Sequence, residues 1–328
     1  MTGDEFLFEI PNNAESSTSY AGDPEVSAVL DWFRSQRRME ARFGQVFRKS
    51  IDEVLDGQRT GRYDLNVKQG PRRVEKTEKT YLGTKVEIVT RAEFELEYGF
   101  PMDYKVAGHP VDAKFSIIGQ WEIPKEAVGH ICLLMTANDV KGSFRVGILR
   151  TTLDVLSTSQ NGDGKRKITA QGKQKISWLV PDGKLPANFL LQLDNENPNL
   201  LSGVFEKQGS GQLRVDDFFR KVQGRLVDRT TVVTVAMQKD GPKRVRDARL
   251  SLRDEGIVIL GYRKPSPRIA SDLGLPIPKQ GFWVSTRLTE LSDDDPRPAA
   301  LINGKRWGIW HVGDAHVAAP AVNTDVDD

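Results

Sequence analysis

The chain has 328 residues, 38% hydrophobic and 28% charged, with no apolar run approaching the roughly 20 residues needed to cross a bilayer. Its single cysteine, Cys132, excludes an intrachain disulfide framework and a cysteine-rich zinc site, and points to a reducing, cytoplasmic setting. The formal net charge of +2 is unevenly spread: Lys207 to Arg268 holds 15 Lys and Arg against 7 Asp and Glu, while acids gather towards both ends. Such a basic stretch is either a solvated face or a surface for a polyanion.

Residues 1–24 are polar and rich in Ser and Asn, which predicts a disordered tail; the opening MTGDEFLFEI has acids where an export signal would carry Lys or Arg. From about Asp23 to Leu55 the pattern is helical. Val26, Val29, Leu30 and Phe33 recur at spacings of three and four, as do Phe47, Ile51, Val54 and Leu55. The glycines of Asp56–Gly61 predict a turn. The run Val54-Leu55-Asp56-Gly57-Gln58-Arg59 resembles the nucleotidyl-transfer motif K-x-D-G-x-R of DNA ligases, but Val54 stands where a covalent adenylate needs an amine. Ligase chemistry is therefore excluded, and the run reads as a helix end and turn.

A basic connection, KQGPRRVEKTEKT, leads into TKVEIVTRAEFELEYG, whose pattern fits helix or strand and favours helix. Lys76 and Lys79 in it are expected to be solvated. Three β-rich runs follow, VDAKFSIIGQWEI, GHICLLMTA and FRVGILRTTL, each bounded by Gly or Pro. His109 reads as a turn histidine and His130 as structural. Ser116 has no His–Asp partners in a recognisable order. NGDGK (161–165) is a loop, residues 169–180 read as a helix stopped at Pro181-Asp182-Gly183, and 180–188 as a linker.

Beyond the linker, VDDFFRKVQGRL is amphipathic, with Val215, Phe218, Phe219 and Val222 on one face. Asp240-Gly241-Pro242 breaks the chain, and Pro242 suits a first helical position. In KRVRDARLSLR, Val245, Ala248 and Leu252 point inward while Lys243, Arg244, Arg246, Arg249 and Arg253 decorate the other faces. A strand, Gly256 to Tyr262, comes next. Helix, turn, basic helix, strand is the order of a winged helix-turn-helix, whose basic residues meet phosphates and base edges. Trp283, Trp307 and Trp310 lie among strand-like alternations and read as core.

Phosphodiester hydrolysis asks for carboxylates to hold a metal ion and a cation to steady negative charge. On a strand, Asp112 and Lys114 share one face while Val111, Ala113 and Phe115 point to the other. Asp103 stands nine residues upstream and Glu87 further back. Asp-x-Lys alone is weak, since the chain holds five copies. Those at 163 and 182 fall in glycine turns and that at 139 in a loop, so only the copy at 112 lies in an apolar strand. By itself it is either a hydrolytic pair or a surface ion pair.

Taken together, DGQRTGRY, EKTEKTYLGTKVEI, DYKVAGHPVDAKFS, GHICLL, PDGKL, GRLVDR, KRVR, EGIVILG, DLGLPIPKQG and GKRW, in this order from about residue 50 to 312, resemble the NaeI family of type II restriction endonucleases, built on the PD-(D/E)xK nuclease core. The resemblance implies that Glu87, Asp103 and Asp112 bind Mg²⁺ and that Lys114 is catalytic. It implies an α/β fold in two parts. One is a restriction-endonuclease-like mixed sheet flanked by helices over 25–179. The other is a winged helix-turn-helix (α+β) domain over 189–314, similar to that of catabolite activator proteins, followed by an acidic tail at 315–328. It further implies a homodimer in a restriction-modification system, cutting double-stranded DNA at the palindrome GCCGGC, with a second DNA copy bound as effector. Met102 separates Pro101 from Asp103 where the motif has Pro-Asp. A nuclease acting on modified or mismatched DNA, and a non-cleaving DNA-binding regulator, are the competing readings.

Overall fold

The computed structural model describes residues 22–206 and 209–322. The expected tail at 1–24 lies outside the described residues up to residue 21, and the expected acidic tail lies outside them beyond residue 322. In chain order the elements are helices α1 (Pro24–Ser35), α2 (Met39–Leu55), α3 (Gly57–Thr60) and α4 (Lys76–Phe94). Then come strands β1 (Glu97–Tyr98), β2 (Tyr104–Val106), β3 (His109–Phe115), β4 (Glu122–Ile123), β5 (Ile131–Asn138), β6 (Ser143–Arg150) and β7 (Arg166–Lys167), helix α5 (Ala170–Gln174) and strand β8 (Ser177–Lys184). The remainder is α6 (Phe189–Glu196), α7 (Pro198–Phe205), α8 (Gly211–Lys221), β9 (Val227–Asp228), α9 (Arg229–Ala236), α10 (Gly241–Ser251), β10 (Ile257–Leu260), α11 (Ser266–Asp272), β11 (Phe282–Glu290), β12 (Ala300–Ile302) and β13 (Lys305–Ile309). None of the described helices is long and apolar enough to cross a membrane.

The chain forms two compact units. Among the described residues, the first comprises 22–44, 87–138 and 143–184; the second comprises 45–86, 139–142, 185–206 and 209–322. The grouping is discontinuous in sequence, where the sequence reading expects one cut at 180–188.

The first unit is built on a six-stranded mixed sheet in the order β1-β2-β3-β5-β6-β8, with β3 and β5 parallel and the other neighbours antiparallel. One face, carrying Val111, Leu133, Met135, Val146 and Ile148, is apolar and buried. Helix α1 packs against β6 and β8 through Val26, Val29, Leu30 and Phe33, all buried. Asp23 caps it by accepting from the Glu25 and Val26 amides. Phe33, Phe43 and Phe94 stack at centroid separations of 4.5–5.8 Å, each ring contributing about 1.5–3 kcal/mol by leaving water. The opposite face carries Cys132, Leu134 and Leu149, packed under Trp121, Ile123, Ile168 and Ile176.

Residues 169–180 are not one helix: Thr169 caps the five-residue α5, and β8 then pairs antiparallel with β6. Pro181-Asp182-Gly183 lies inside this strand, so Asp182 is not in a turn and the expected linker begins as sheet. Pro181 is tolerated because β8 is the outer strand, where a missing N–H leaves no partner unsatisfied. Asp56–Gly61 is likewise not a simple turn, since Gly57–Thr60 form one helical turn.

In the second unit, α8, α9 and α10 enclose a core of Val215, Phe218, Phe219, Val232, Val235 and Val245. Strands β10, β11, β13 and β12 form a sheet in that order, and β9 also pairs with β11. Trp283 and Trp307 are buried core residues as expected. From the N-terminal half of the chain, Arg48 is buried between Asp52 and Asp139 at 2.7 and 2.6 Å.

Candidate active site

The β2–β3 hairpin sets the site. Its two turn residues, Ala107 and Gly108, have φ of 50° and 85°. Two left-handed residues in a two-residue loop match the twist of the flanking strands. The turn locks the register Tyr104↔Val111, which carries Asp103 to the side of Asp112. Asp103 Oδ2 accepts the Ala113 N–H at 2.7 Å, and its carboxyl lies within hydrogen-bonding reach of that of Asp112.

Alternation along β3 buries Val111 and Ala113 and turns Asp112 and Lys114 to the other face. Lys114 Nζ lies 2.6 Å from Asp112 Oδ2 and donates to the Ala113 carbonyl at 3.1 Å. Beneath them, the thiol of Cys132, the register partner of Asp112, points at Asp112 Oδ2 from 3.7 Å. Burial and the Asp112 charge hold that thiol far above its usual range, so it remains protonated and is no nucleophile.

Glu87 reaches the site from α4, a helix tied to β2 by a 2.8 Å hydrogen bond from Tyr104 Oη to the Glu87 carbonyl. Burial, then the charge of Asp103, raises the Glu87 carboxyl above the usual range, while Arg91, 4.0 Å away, and Lys114 oppose the rise. Asp112 is raised by burial, with Lys114 opposing and Asp103 adding to it. Burial works against the Lys114 charge, but Asp112 outweighs it and lifts the ammonium above its ordinary range. Neighbouring carboxylates thus add to the effect of burial at both Glu87 and Asp112.

The structure thus brings Asp103, Asp112 and Lys114 together and leaves Glu87 within electrostatic reach. Among the described residues, no three His, Cys, Asp or Glu side chains stand in a metal-holding arrangement. The donor set at the centre is two neighbouring carboxylates with a third acid in their field. All-oxygen donors with excess negative charge suit a hard divalent cation. Arg91 and Cys132 were missed from sequence. Arg91 is four residues after Glu87 on one helix and could have been found, whereas Cys132 is reached only through the β3–β5 register.

The expected DNA-binding residues lie on α10 in the second unit. Asp240 caps this helix by accepting the Lys243 N–H, and Val245 and Ala248 are buried. Lys243 and Arg244 lie 3.7 and 3.5 Å from Asp247. Arg244 also reaches Gln212 at 3.4 Å. Arg246, Arg249 and Arg253 line a groove that β10 and residues 320–322 complete. Arg249 differs from the outward placement expected, because its Nε donates to the Ile259 carbonyl at 2.9 Å and ties α10 to β10. His109, expected in a turn, is the first residue of β3, 3.8 Å from Glu25.

The family model described as restriction endonuclease NaeI matches residues 29–318. The type II restriction enzyme NaeI of Lentzea aerocolonigenes is 41% identical over 284 residues, covering 84% of this chain and 87% of that protein.

Proposed function

Because the chain belongs to the restriction endonuclease NaeI family, and is thereby a type II site-specific deoxyribonuclease acting on double-stranded DNA, we propose that it cuts GCCGGC with Mg²⁺ held at Asp103 and Asp112. The observation that carries this reading is the meeting of those two carboxylates beside the Lys114 ammonium on one strand face. Glu87 serves as the third acid, a role supported by its electrostatic coupling to both aspartates. Mg²⁺, when bound there, supplies polarisation of the phosphate and a more acidic water.

The chain's own groups do the rest. The Ala113 amide orients Asp103. Asp112 holds Lys114, whose ammonium places the attacking water and steadies charge gathering on the phosphate. Cys132 and the apolar residues under Asp112 keep water from that side of the carboxylate.

The second unit reads the DNA in this proposal. The order α8, β9, α9, α10, β10, β11, with β9 and β10 both paired to β11, is compatible with a winged helix-turn-helix. Helix α10 then enters the major groove, with Lys243, Arg244 and Arg246 meeting phosphates and guanine edges, while Arg249 holds the helix on β10. The protein acts as a homodimer, matching the two-fold symmetry of the palindrome, and takes a second duplex as effector.

Unmodified plasmid and synthetic GCCGGC duplexes incubated with Mg²⁺ test the reading. Discrete fragments that vanish with EDTA are expected. Cutting confined to modified or mismatched DNA would overturn the target, and binding without cleavage in any divalent metal would overturn the chemistry.

A further inference from the structure

A pair of cations in the first unit has no place in the site so far described. Arg145 lies on β6 opposite Thr136 of β5, and Leu134, two residues back, pairs with both Lys114 and Gly147. Directly paired residues project from the same side of a sheet. Arg145 therefore shares the face of Asp112 and Lys114, two strands across and one pleat along. From strand spacing and rise, its Cα is roughly 12 Å from that of Lys114.

The surroundings of Arg145 are built rather than incidental. Gly147 pairs with Trp178 of β8, and a Cβ at Gly147 would come 2.9 Å from the indole. The missing side chain lets the Trp178 ring lie close over β6, and the Arg145 guanidinium rests 3.9 Å from its centroid. Lys173, on the short α5 fixed by its Thr169 cap, lies 5.9 Å from the ring of Trp121.

No ion pair engages either cation among the described residues, and the Arg145 Nε is buried without a hydrogen-bond partner. Burial lowers the proton affinity of both groups. The Arg145 charge lowers that of Lys173 further, and the attraction of Asp182 only partly offsets the effect on Arg145. Two partly buried cations that repel each other are costly unless an anion joins them. The preformed aromatic seats hold both where that anion would bind.

We propose that Arg145 and Lys173, seated on Trp178 and Trp121, form a phosphate-binding subsite on the nuclease face that grips the substrate strand a short distance from the scissile phosphate. This rests on the nuclease reading for its ligand, but its signature is separate from cleavage. The terminal nitrogens of the guanidinium, which unlike Nε are not buried, meet a phosphate oxygen, and Lys173 adds a second charge to the same backbone. The subsite reads no sequence; it sets the register of the strand against Asp112 and Lys114.

The test uses Arg145→Met and Lys173→Met, which keep much of the packing over the indoles and remove the charge, alongside Arg145→Lys. Binding of a GCCGGC duplex is measured against salt in the Asp112→Asn protein, and KM and kcat in the otherwise unaltered enzyme. Each Met variant is expected to weaken binding about tenfold or more and to shrink the log–log salt slope by about one. KM should rise with kcat nearly constant, and Arg145→Lys should recover most of the salt slope. Unchanged affinity and slope in both Met variants would overturn the subsite. So would a loss that follows a fall in melting temperature and is not rescued by lysine, because the two cations would then serve packing. If the unaltered enzyme cuts no duplex while the Met variants still lose salt-dependent binding, the nuclease reading fails and the subsite stands.

Discussion

At the scale of single residues, the site depends on which charges a carboxylate faces. Asp112 is buried against Lys114 and Asp103, so removing its charge takes away the partner of the ammonium and one of the two neighbouring carboxylates together. Asp112→Asn and Lys114→Met are each expected to slow cleavage by about 10²–10⁴-fold while sparing duplex affinity in a gel-shift titration. Equal loss of binding would mean that the pair serves the fold. Asp52 offers a second case, remote from catalysis. Burial, then the charges of Asp139 and Asp228, with Arg48 opposing, push its carboxyl up to about 6. A native-state pKa above the unfolded one means the folded form binds the extra proton. Stability therefore declines as pH rises through the window from about 4 to about 6, and the cost is complete above it. A third of the Asp52 side chain remains open, which screens that cost to about 1–2 kcal/mol. Asp52→Asn should accordingly flatten the melting temperature between pH 4.5 and 7, and a variant with the wild-type pH profile would show that Asp52 is not the titrating group. The strand alternation made Asp112 and Lys114 readable from sequence. Asp103 stands a hairpin's length before Asp112 in the sequence, but the contact between them depends on the turn that closes the hairpin, and the role of Glu87 comes only from the family resemblance.

At the scale of elements, the readable parts were those whose periodicity had one interpretation. The β5 run is apolar at nearly every position because both its faces are covered, and α10 alternates core residues with cations at helical spacing. Strand β8 was not readable. Ile176, Leu179 and Val180 mimic a helical stripe, and only pairing with β6 shows that Trp178 and its neighbours alternate across a sheet. The β2–β3 turn matters more than its two residues suggest, since it sets the register that brings Asp103 beside Asp112. Gly108, at φ 85°, would cost a β-branched residue about 1–2 kcal/mol. Gly108→Val is thus predicted to lower stability by that amount in urea unfolding and to cut the cleavage rate well beyond what lost folding explains. A variant that is less stable but fully active per folded molecule would detach the hairpin from the site.

At the scale of the whole molecule, the chain passes between its compact units more than once, at 44/45, 86/87, 138/139, 142/143 and 184/185. No single cut separates them, although composition suggested one near 180–188. The second unit depends on N-terminal residues at several points. A Cβ at Gly57 would meet the Thr234 hydroxyl at 2.4 Å, so α3 presses directly on α9. The Tyr63 and Phe205 rings stack with centroids 5.7 Å apart. The Asn188 side-chain amide donates to the Tyr63 carbonyl at 2.7 Å and to Asp139 at 3.1 Å, and Asp139 also pairs with buried Arg48. A fragment ending at residue 184 keeps Arg48, Tyr63 and Asp139 but loses Phe205, Thr234 and Asn188. A fragment beginning at 185 loses the other half of each contact. Stranding apolar rings and a buried ion pair in this way removes several interactions worth about 1–3 kcal/mol apiece, comparable in sum to the stability of an ordinary domain. Neither fragment should therefore unfold cooperatively when expressed alone, and brief proteolysis of the intact protein should leave no stable product with an end near 180–188. A soluble 1–184 fragment with a sharp thermal transition would restore the single cut and place the folding boundary where composition first suggested it.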